Sequence, residues 1–167
     1  MLQTFFVLWE SLRMIKGIIA GNFDVIHPGY VRFFKDAKEN ACDWLIIALQ
    51  GDPTIERPNK AKPILAVEER TEILMELSSV DEVLHYDTEE ELLELLKQAR
   101  PNVRILGSDY HGKEFTGCEL SIPVYYHERN HSWSTTRFKN EIMLQVLRQK
   151  KRGKDEEEGK KFCPPPC

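Results

Sequence analysis

Two uninterrupted apolar runs constrain the fold of this 167-residue chain more than any other feature. The runs, residues 15–20 and 44–49, are typical of strands that are buried on both faces of a parallel sheet. Parallel neighbours need a crossover of a dozen or more residues, usually a helix. The segment between the two runs is long enough and carries Pro28, a residue favoured in the first helical turn. We therefore expect a βαβ unit near the start of the chain.

The same alternation of strand and helix patterns continues to residue 148. Further strands are predicted at residues 80–85, 103–106 and 122–126, and helices at residues 28–39, 67–77, 88–99 and 134–148. Thr88 and Glu91 have the spacing of a capping box. Alternating elements with right-handed crossovers predict a Rossmann-like, three-layer α/β sandwich with a mostly parallel five-stranded sheet. Ligands of such sheets bind beyond the carboxyl ends of the strands.

Composition narrows the class of protein and its compartment. With 41% hydrophobic and 30% charged residues, the chain is neither collagen-like nor wholly disordered. A net charge of −4 argues against a nucleic-acid binder, and no apolar run reaches the length that spans a membrane. Four scattered cysteines suit a reducing compartment, so we expect a cytoplasmic protein.

The chain is predicted to hold one domain with an appendage at each end. The domain covers residues 14–149, and residues 1–13 form an N-terminal extension. Residues 150–167 combine blocks of like charge with a proline-rich end, a composition typical of disorder. Cys163 and Cys167 could bind a metal or pair oxidatively, but two ligands with a stiff triproline between them favour a solvated tail.

The turn after the first strand carries the strongest chemical signal. It contains Gly21, which lets the backbone turn and a ligand approach, and it leads directly into the first helix. The free N–H groups and the positive dipole end of a helix N-terminus bind anions. His27 and Tyr30, three residues apart, share one face of that helix. A histidine that only caps the helix is the alternative interpretation.

This turn resembles the signature of the HxGH nucleotidyltransferases, Gly-x-Phe-Asp-x-x-His-x-Gly-His. The chain matches every position from Gly21 onward except the last, where Tyr30 replaces the second histidine. Glu69-Arg70 resembles the family's pair that brings an arginine to the nucleotide. Residues 129–136 resemble the Arg-Thr-Glu-Gly-Ile-Ser-Thr-Thr motif of cytidylyltransferases. The resemblance covers residues 15–142 and is strongest to the glycerol-3-phosphate cytidylyltransferases.

The resemblance assigns roles to particular residues. The implied nucleotide-binding residues are Gly21, Asn22, Phe23, Asp24, His27, Gly29, Tyr30, Lys62, Arg70, Arg129, Ser134, Thr135 and Thr136. The implied catalytic residues are His27, Tyr30, Lys60 and Arg129, and the implied acceptor-binding residues are Asp52, Asp109 and Tyr110. Ser134 is equally well explained as a helix N-cap, and Asp109 as a turn residue.

The function that the resemblance implies is transfer of CMP from CTP to a small phosphorylated alcohol, glycerol 3-phosphate first, with release of pyrophosphate. Mg²⁺ would be held through the phosphates rather than by a cluster of side chains. A homodimer is expected from the resemblance alone. Three alternatives stay open: an adenylyltransferase that uses ATP to form an ADP-sugar or similar product, a non-catalytic nucleotide-binding module, and a flavodoxin-like electron carrier.

Overall fold

Five parallel strands form a single sheet with helices packed on both of its faces. The computed structural model describes residues 14–161, so the predicted extension at residues 1–13 and the last residues of the tail, 162–167, lie outside the described part. The chain divides into two compact units, the first ending at Ser132 and the second beginning at Trp133. The boundary falls inside the predicted domain of residues 14–149.

The predicted elements are present, with ends shifted by at most two residues, except that the last helix extends well beyond its predicted end at residue 148. The strands are β1 (Lys16–Gly21), β2 (Trp44–Gln50), β3 (Glu82–Tyr86), β4 (Val103–Gly107) and β5 (Val124–His127). The helices are α1 (Pro28–Asn40), α2 (Val67–Met75), α3 (Glu89–Ala99) and α4 (Thr135–Lys161). Short 3-10 turns lie at Ser108–Tyr110 and Cys118–Leu120.

The order of the strands is β3-β2-β1-β4-β5, and every neighbouring pair is parallel. The chain moves outward from β1 to β2 to β3, then crosses back to place β4 on the other side of β1. Right-handed crossovers in opposite directions place their helices on opposite faces of a sheet. The predicted Rossmann-like α/β fold is therefore confirmed, with the sheet wholly parallel.

Two hydrophobic clusters hold the helices against the sheet. On one face, Phe34 of α1 and Leu74 of α2 pack with strand residues such as Ile47. On the other face, Leu92 and Leu96 of α3 pack with strand residues of the opposite set. Alternation along each strand produces this division, since successive side chains point to opposite faces.

Local capping fixes where the helices of the first unit begin. Thr88 accepts a hydrogen bond from the Glu91 N–H at 3.1 Å, and the Glu91 carboxylate accepts from the Thr88 N–H, which confirms the predicted capping box. At α2, the Glu69 carboxylate accepts from the Ala66 N–H at 2.7 Å. At α1, the cap is His27 itself, followed by Pro28.

The second unit contains α4, which extends to Lys161. The charge blocks predicted disorder from residue 150, whereas the structure has helix there. Glu, Lys and Arg, which are frequent in this segment, are good helix formers. Among the helices of residues 14–161, none is both long and apolar enough to cross a bilayer.

Candidate active site

A cavity of about 500 Å³ lies in the first unit, at the carboxyl ends of β1 and β4. Gly21 ends β1 and Gly107 ends β4, and both line the cavity. The order of the strands reverses between these two neighbours, which is the position where open α/β sheets bind their ligands. The fold thus creates the crevice, and the loops after the strands supply its side chains.

His27 is held rigidly at the edge of this cavity by its own helix. Its Nδ1 accepts the N–H of Gly29 at 3.2 Å, so the side chain is the N-cap of α1. Because Nδ1 accepts, the proton of the neutral ring is carried on Nε2. Burial lowers the pKa of His27, and the charges of His131 and Arg129 lower it further. The capping interpretation and the ligand interpretation of His27 are therefore compatible.

A cluster of aromatic side chains packs against His27. The rings of Tyr30 and His27 stack with centroids 4.3 Å apart and planes inclined by 16°. Phe23 meets Tyr30 edge-on at 5.1 Å and Phe34 at 5.4 Å. Phe23 has a φ of 38°, a backbone conformation that bulky residues rarely adopt, and its ring lies over Gly21, where a Cβ would be only 3.0 Å away. This packing holds the strained turn.

The long polar loop after β2 is tied to the β1 turn by two buried charged residues. The Asp24 carboxylate, fully buried, accepts the N–H groups of Ile64 at 2.7 Å and Leu65 at 3.0 Å. Arg70, also buried, donates to the carbonyl groups of Asn22, Gln50 and Gly51 at 2.7 Å each and to that of Leu65 at 3.2 Å. These contacts fix two of the loops that surround the cavity.

The structure brings most of the predicted site residues to this one cavity. Those that line it are Gly21, Asn22, Phe23, His27, Gly29, Tyr30, Lys60, Asp109, Tyr110 and Arg129. Of the remaining predicted residues in the first unit, Asp24, Asp52, Lys62 and Arg70 are not in its lining. Lys62 is paired with Asp52 at 3.6 Å, and Asp52 also accepts from the Thr54 N–H and hydroxyl at 2.9 and 2.6 Å.

The three remaining predicted residues belong to the second unit. The Ser134 hydroxyl accepts the N–H of Arg137 at 3.2 Å, so Ser134 is the N-cap of α4. Thr135 and Thr136 form the first turn of that helix. The predicted nucleotide contacts of Ser134, Thr135 and Thr136 stay predictions.

Several polar and aromatic residues of the cavity were not predicted from the sequence. They include Arg57, Tyr86, Glu89, Arg104, His127 and His131. His127 is positioned by Asp36, whose carboxylate lies 2.7 Å from His127 Nδ1 and also accepts the Tyr125 hydroxyl. A sequence signal existed for Arg104: it interrupts the apolar strand Val103–Gly107, and buried charges are rare in strands of this kind.

Comparisons with known proteins show which proteins the chain is similar to over about two thirds of its length. The chain is 34% identical over 120 residues to the bifunctional protein HldE of Bradyrhizobium sp. (strain ORS 278) and 39% identical over 114 residues to that of Wolinella succinogenes. The matches cover 71% and 67% of this chain, but they span only about a quarter of each relative, 24% and 23%.

Two solved structures share the fold. A lipopolysaccharide core biosynthesis protein from Thermoplasma volcanium aligns with a TM-score of 0.56 and 23% identity, over 72% of this chain and 100% of the other. Pantoate-beta-alanine ligase from Francisella tularensis aligns with a TM-score of 0.53 and 17% identity, over 83% of this chain and 70% of the other. The model of the family described as cytidylyltransferase-like matches residues 18–149. The chain therefore belongs to the cytidylyltransferase-like family of the HxGH nucleotidyltransferase superfamily.

Proposed function

We propose that the chain is a nucleotidyltransferase that moves a nucleoside monophosphate from a nucleoside triphosphate to a phosphorylated sugar or alcohol. The observation that carries this proposal is the burial and fixed orientation of the His27 ring in the cavity. Its ring lines the cavity, is only 5% exposed, and has Nδ1 fixed by the backbone of its own helix. A ring held in this way presents Nε2–H as a preorganised donor, which is what stabilises charge on a phosphate.

The proposed reaction needs positioning rather than covalent chemistry from the protein. An oxygen of the acceptor phosphate attacks the α-phosphorus in line, a new P–O bond forms, and the bond to the bridging oxygen of pyrophosphate breaks. His27 would donate from Nε2 to the α-phosphate, where negative charge builds up. Tyr30 supports that ring by stacking at 4.3 Å and replaces a second histidine with a neutral side chain.

Cationic side chains on the rim of the cavity are proposed to hold the β- and γ-phosphates. Lys60 and Arg57 reach the cavity from the loop after β2, and Arg129 reaches it after β5. Arg57 is steadied by Gln50 Oε1 at 3.1 Å and Glu89 Oε1 at 3.3 Å. We assign Arg70 a positioning role, because its guanidinium donates to four backbone carbonyls around the site.

Mg²⁺ is proposed to enter as the complex with the triphosphate. Among the described residues, no group of three histidines, cysteines or carboxylates has the arrangement of a metal site. Mg²⁺ commonly uses phosphate oxygens and waters with one or two carboxylates. Asp109, exposed and in the lining, could meet a hydrated ion in that way. When bound, the ion would neutralise charge on the leaving pyrophosphate.

Two observations bear on the identity of the donor. Arg129 lines the cavity at the position that resembles the arginine of the cytidylyltransferase motif, which supports CTP. The similarity to relatives named bifunctional protein HldE supports ATP instead. The second candidate function is therefore adenylyl transfer at the same site, with the same roles for His27 and the cations.

Pyrophosphate release tests the proposal. The full chain is incubated with Mg²⁺, either CTP or ATP, and either glycerol 3-phosphate or a sugar 1-phosphate, and the nucleotide product is identified by mass spectrometry. Wild-type turnover that falls steeply in His27→Asn is the expected result. Equal turnover by the variant would contradict the role of His27. Binding of a nucleotide without turnover would favour the non-catalytic nucleotide-binding module, and binding of neither nucleotide would withdraw the nucleotide site altogether.

A further inference from the structure

Arg104 is a buried, positively charged residue of the first unit. It is the second residue of β4, is only 5% exposed, and neighbours the fully buried Ile105. Its Nε and Nη1 atoms are buried, and neither has a hydrogen-bond partner among the residues that the structure describes. A guanidinium stays charged in proteins, and burying it unpaired is costly. A ligand that supplies the missing acceptors would remove this cost.

The side chain of Arg104 lies on the sheet face that packs against α3. Its register partner on β1 is Ile18, which belongs to the hydrophobic cluster of that face, whereas Ile105 belongs to the opposite cluster. The helix that His27 caps, α1, packs on the opposite face. Both Arg104 and His27 nevertheless line the same cavity. The cavity therefore has a His27 end and an Arg104 end.

The ionisable side chains around Arg104 do not neutralise its charge. Burial lowers the pKa of Arg104, and its charged or ionisable neighbours Tyr86, Tyr110 and Glu89 offset this only in part. Burial also raises the pKa of Tyr86, so that phenol is neutral. The Glu89 carboxylate already accepts hydrogen bonds from Arg57 Nη2 at 3.3 Å and from the Thr116 hydroxyl.

We propose that Arg104 binds an oxyanion, a phosphate or a carboxylate, that the acceptor substrate carries at the Arg104 end of the cavity. The assignment of the anion to the acceptor rests on the proposed function, whereas anion binding by Arg104 rests on its burial and missing partners. A planar guanidinium matches the oxygens of either group and discriminates strongly against neutral ligands. Arg104 thereby selects acidic acceptors over neutral ones.

Nuclear magnetic resonance of the full chain tests anion binding directly. The Arg104 Nε–H signal is identified in ¹⁵N spectra by its loss in Arg104→Met, and is followed during titration with inorganic phosphate, with acetate and with chloride at equal ionic strength. A saturable shift with phosphate alone assigns a phosphate group, and a saturable shift with acetate assigns a carboxylate. The proposal is overturned if the signal is visible and shifts with neither phosphate nor acetate. It is also overturned if chloride shifts the signal as much as they do.

Thermal unfolding supplies a matched control. The anion that shifts the signal should raise the melting temperature of wild type and of Arg148→Met, which removes an exposed arginine of α4. It should raise that of Arg104→Met less. Equal stabilisation of Arg104→Met and wild type would contradict binding at Arg104.

Kinetics then connect the anion to the acceptor. If turnover is found, Arg104→Met should raise the KM for the acceptor about 10- to 100-fold, with little change in the KM for the nucleotide, because a charge-assisted hydrogen bond is lost. Arg104→Lys should recover part of the loss. An unchanged acceptor KM overturns the assignment to the acceptor. If no turnover is found, the proposed function fails while the spectroscopic result still decides anion binding.

Discussion

Two arginines are buried in the first unit, and their surroundings differ. Arg70, in α2, is 2% exposed and donates four hydrogen bonds to backbone carbonyls of neighbouring loops. Arg104, in β4, is 5% exposed, and its Nε and Nη1 atoms find no acceptor in the part of the chain that is described. The fold supplies hydrogen-bond acceptors for Arg70. Arg104 keeps donors that a ligand could use.

The difference distinguishes buried charges that hold the loops of the site together from a buried charge that lines the cavity. Around Arg70 and Asp24, buried charges are used to hold loops, because each is met by backbone N–H or C=O groups. Around Arg104, Nε and Nη1 meet no such groups among the described residues, and the residue lines the cavity. Buried polar groups are nearly always hydrogen-bonded, so an exception at a cavity points to function.

The largest effect on activity is expected from a change at His27, because this side chain both caps α1 and is the proposed donor to the α-phosphate. His27→Asn keeps an acceptor for the Gly29 N–H, since asparagine is a favoured N-cap, but it loses the Nε2 donor. We expect kcat to fall about 100- to 1,000-fold, as for other single donors to a developing oxyanion. Urea unfolding should show nearly wild-type stability. A large loss of stability together with activity would mean that His27 acts chiefly as a cap.

The comparison between the two arginines is tested next by their methionine variants. Arg70→Met leaves buried carbonyls unpaired and should lower the free energy of unfolding by about 2–4 kcal/mol. Arg104→Met removes a charge whose Nε and Nη1 atoms have no hydrogen-bond partner among the described residues. It should leave stability unchanged or raise it, as apolar replacement of buried charges often does. Urea denaturation in the absence of ligands measures both. Equal losses would show that Arg104 has an equivalent structural role.

A smaller effect is expected from the hydroxyl of Tyr30. Tyr30→Phe keeps the ring that stacks on His27 and removes only one neutral hydrogen-bonding group. Such a bond contributes about 0.5–1.5 kcal/mol, so kcat/KM should fall about 2- to 10-fold. Full activity in the variant would show that Tyr30 contributes by packing alone.

The smallest effect is a dependence of stability on pH. The pKa of His27 is lowered from its usual 6.5, chiefly by burial, and that of His131 is lowered by burial as well. In the window between the folded pKa and 6.5 the unfolded chain binds more protons, so stability should rise with pH there and level off above it. The free energy of unfolding at pH 5.5 and 7.5 measures the slope, which should be shallower in His27→Asn. An identical slope would remove His27 as its source.

Local patterns made the fold predictable, whereas long-range contacts hid part of the site. The apolar runs of β1 and β2, the Thr88 cap and the turn from Gly21 to Tyr30 are contained in short stretches of sequence, and each lies where it was expected. The four acceptors of Arg70 span residues 22–65, so no local pattern could reveal them.

The role of Arg104 also depends on long-range contacts that a local sequence pattern does not reveal. As a single polar residue in a short strand it carries no periodic signal, and its lack of partners emerges only when β4, α3 and the loops are assembled. The helix beyond residue 150 was missed for a different reason: blocks of like charge are typical of disorder, but Glu, Lys and Arg are also good helix formers.

Calorimetric titration with Mg²⁺-CTP and Mg²⁺-ATP is the most direct test of a nucleotide bound at the His27 end of the cavity. Wild type should bind one nucleotide with clear preference, His27→Asn should bind it more weakly, and Arg104→Met should bind it as wild type does. The preferred nucleotide identifies the donor. Absence of binding to wild type, or weakening by Arg104→Met and not by His27→Asn, would contradict a nucleotide site at His27.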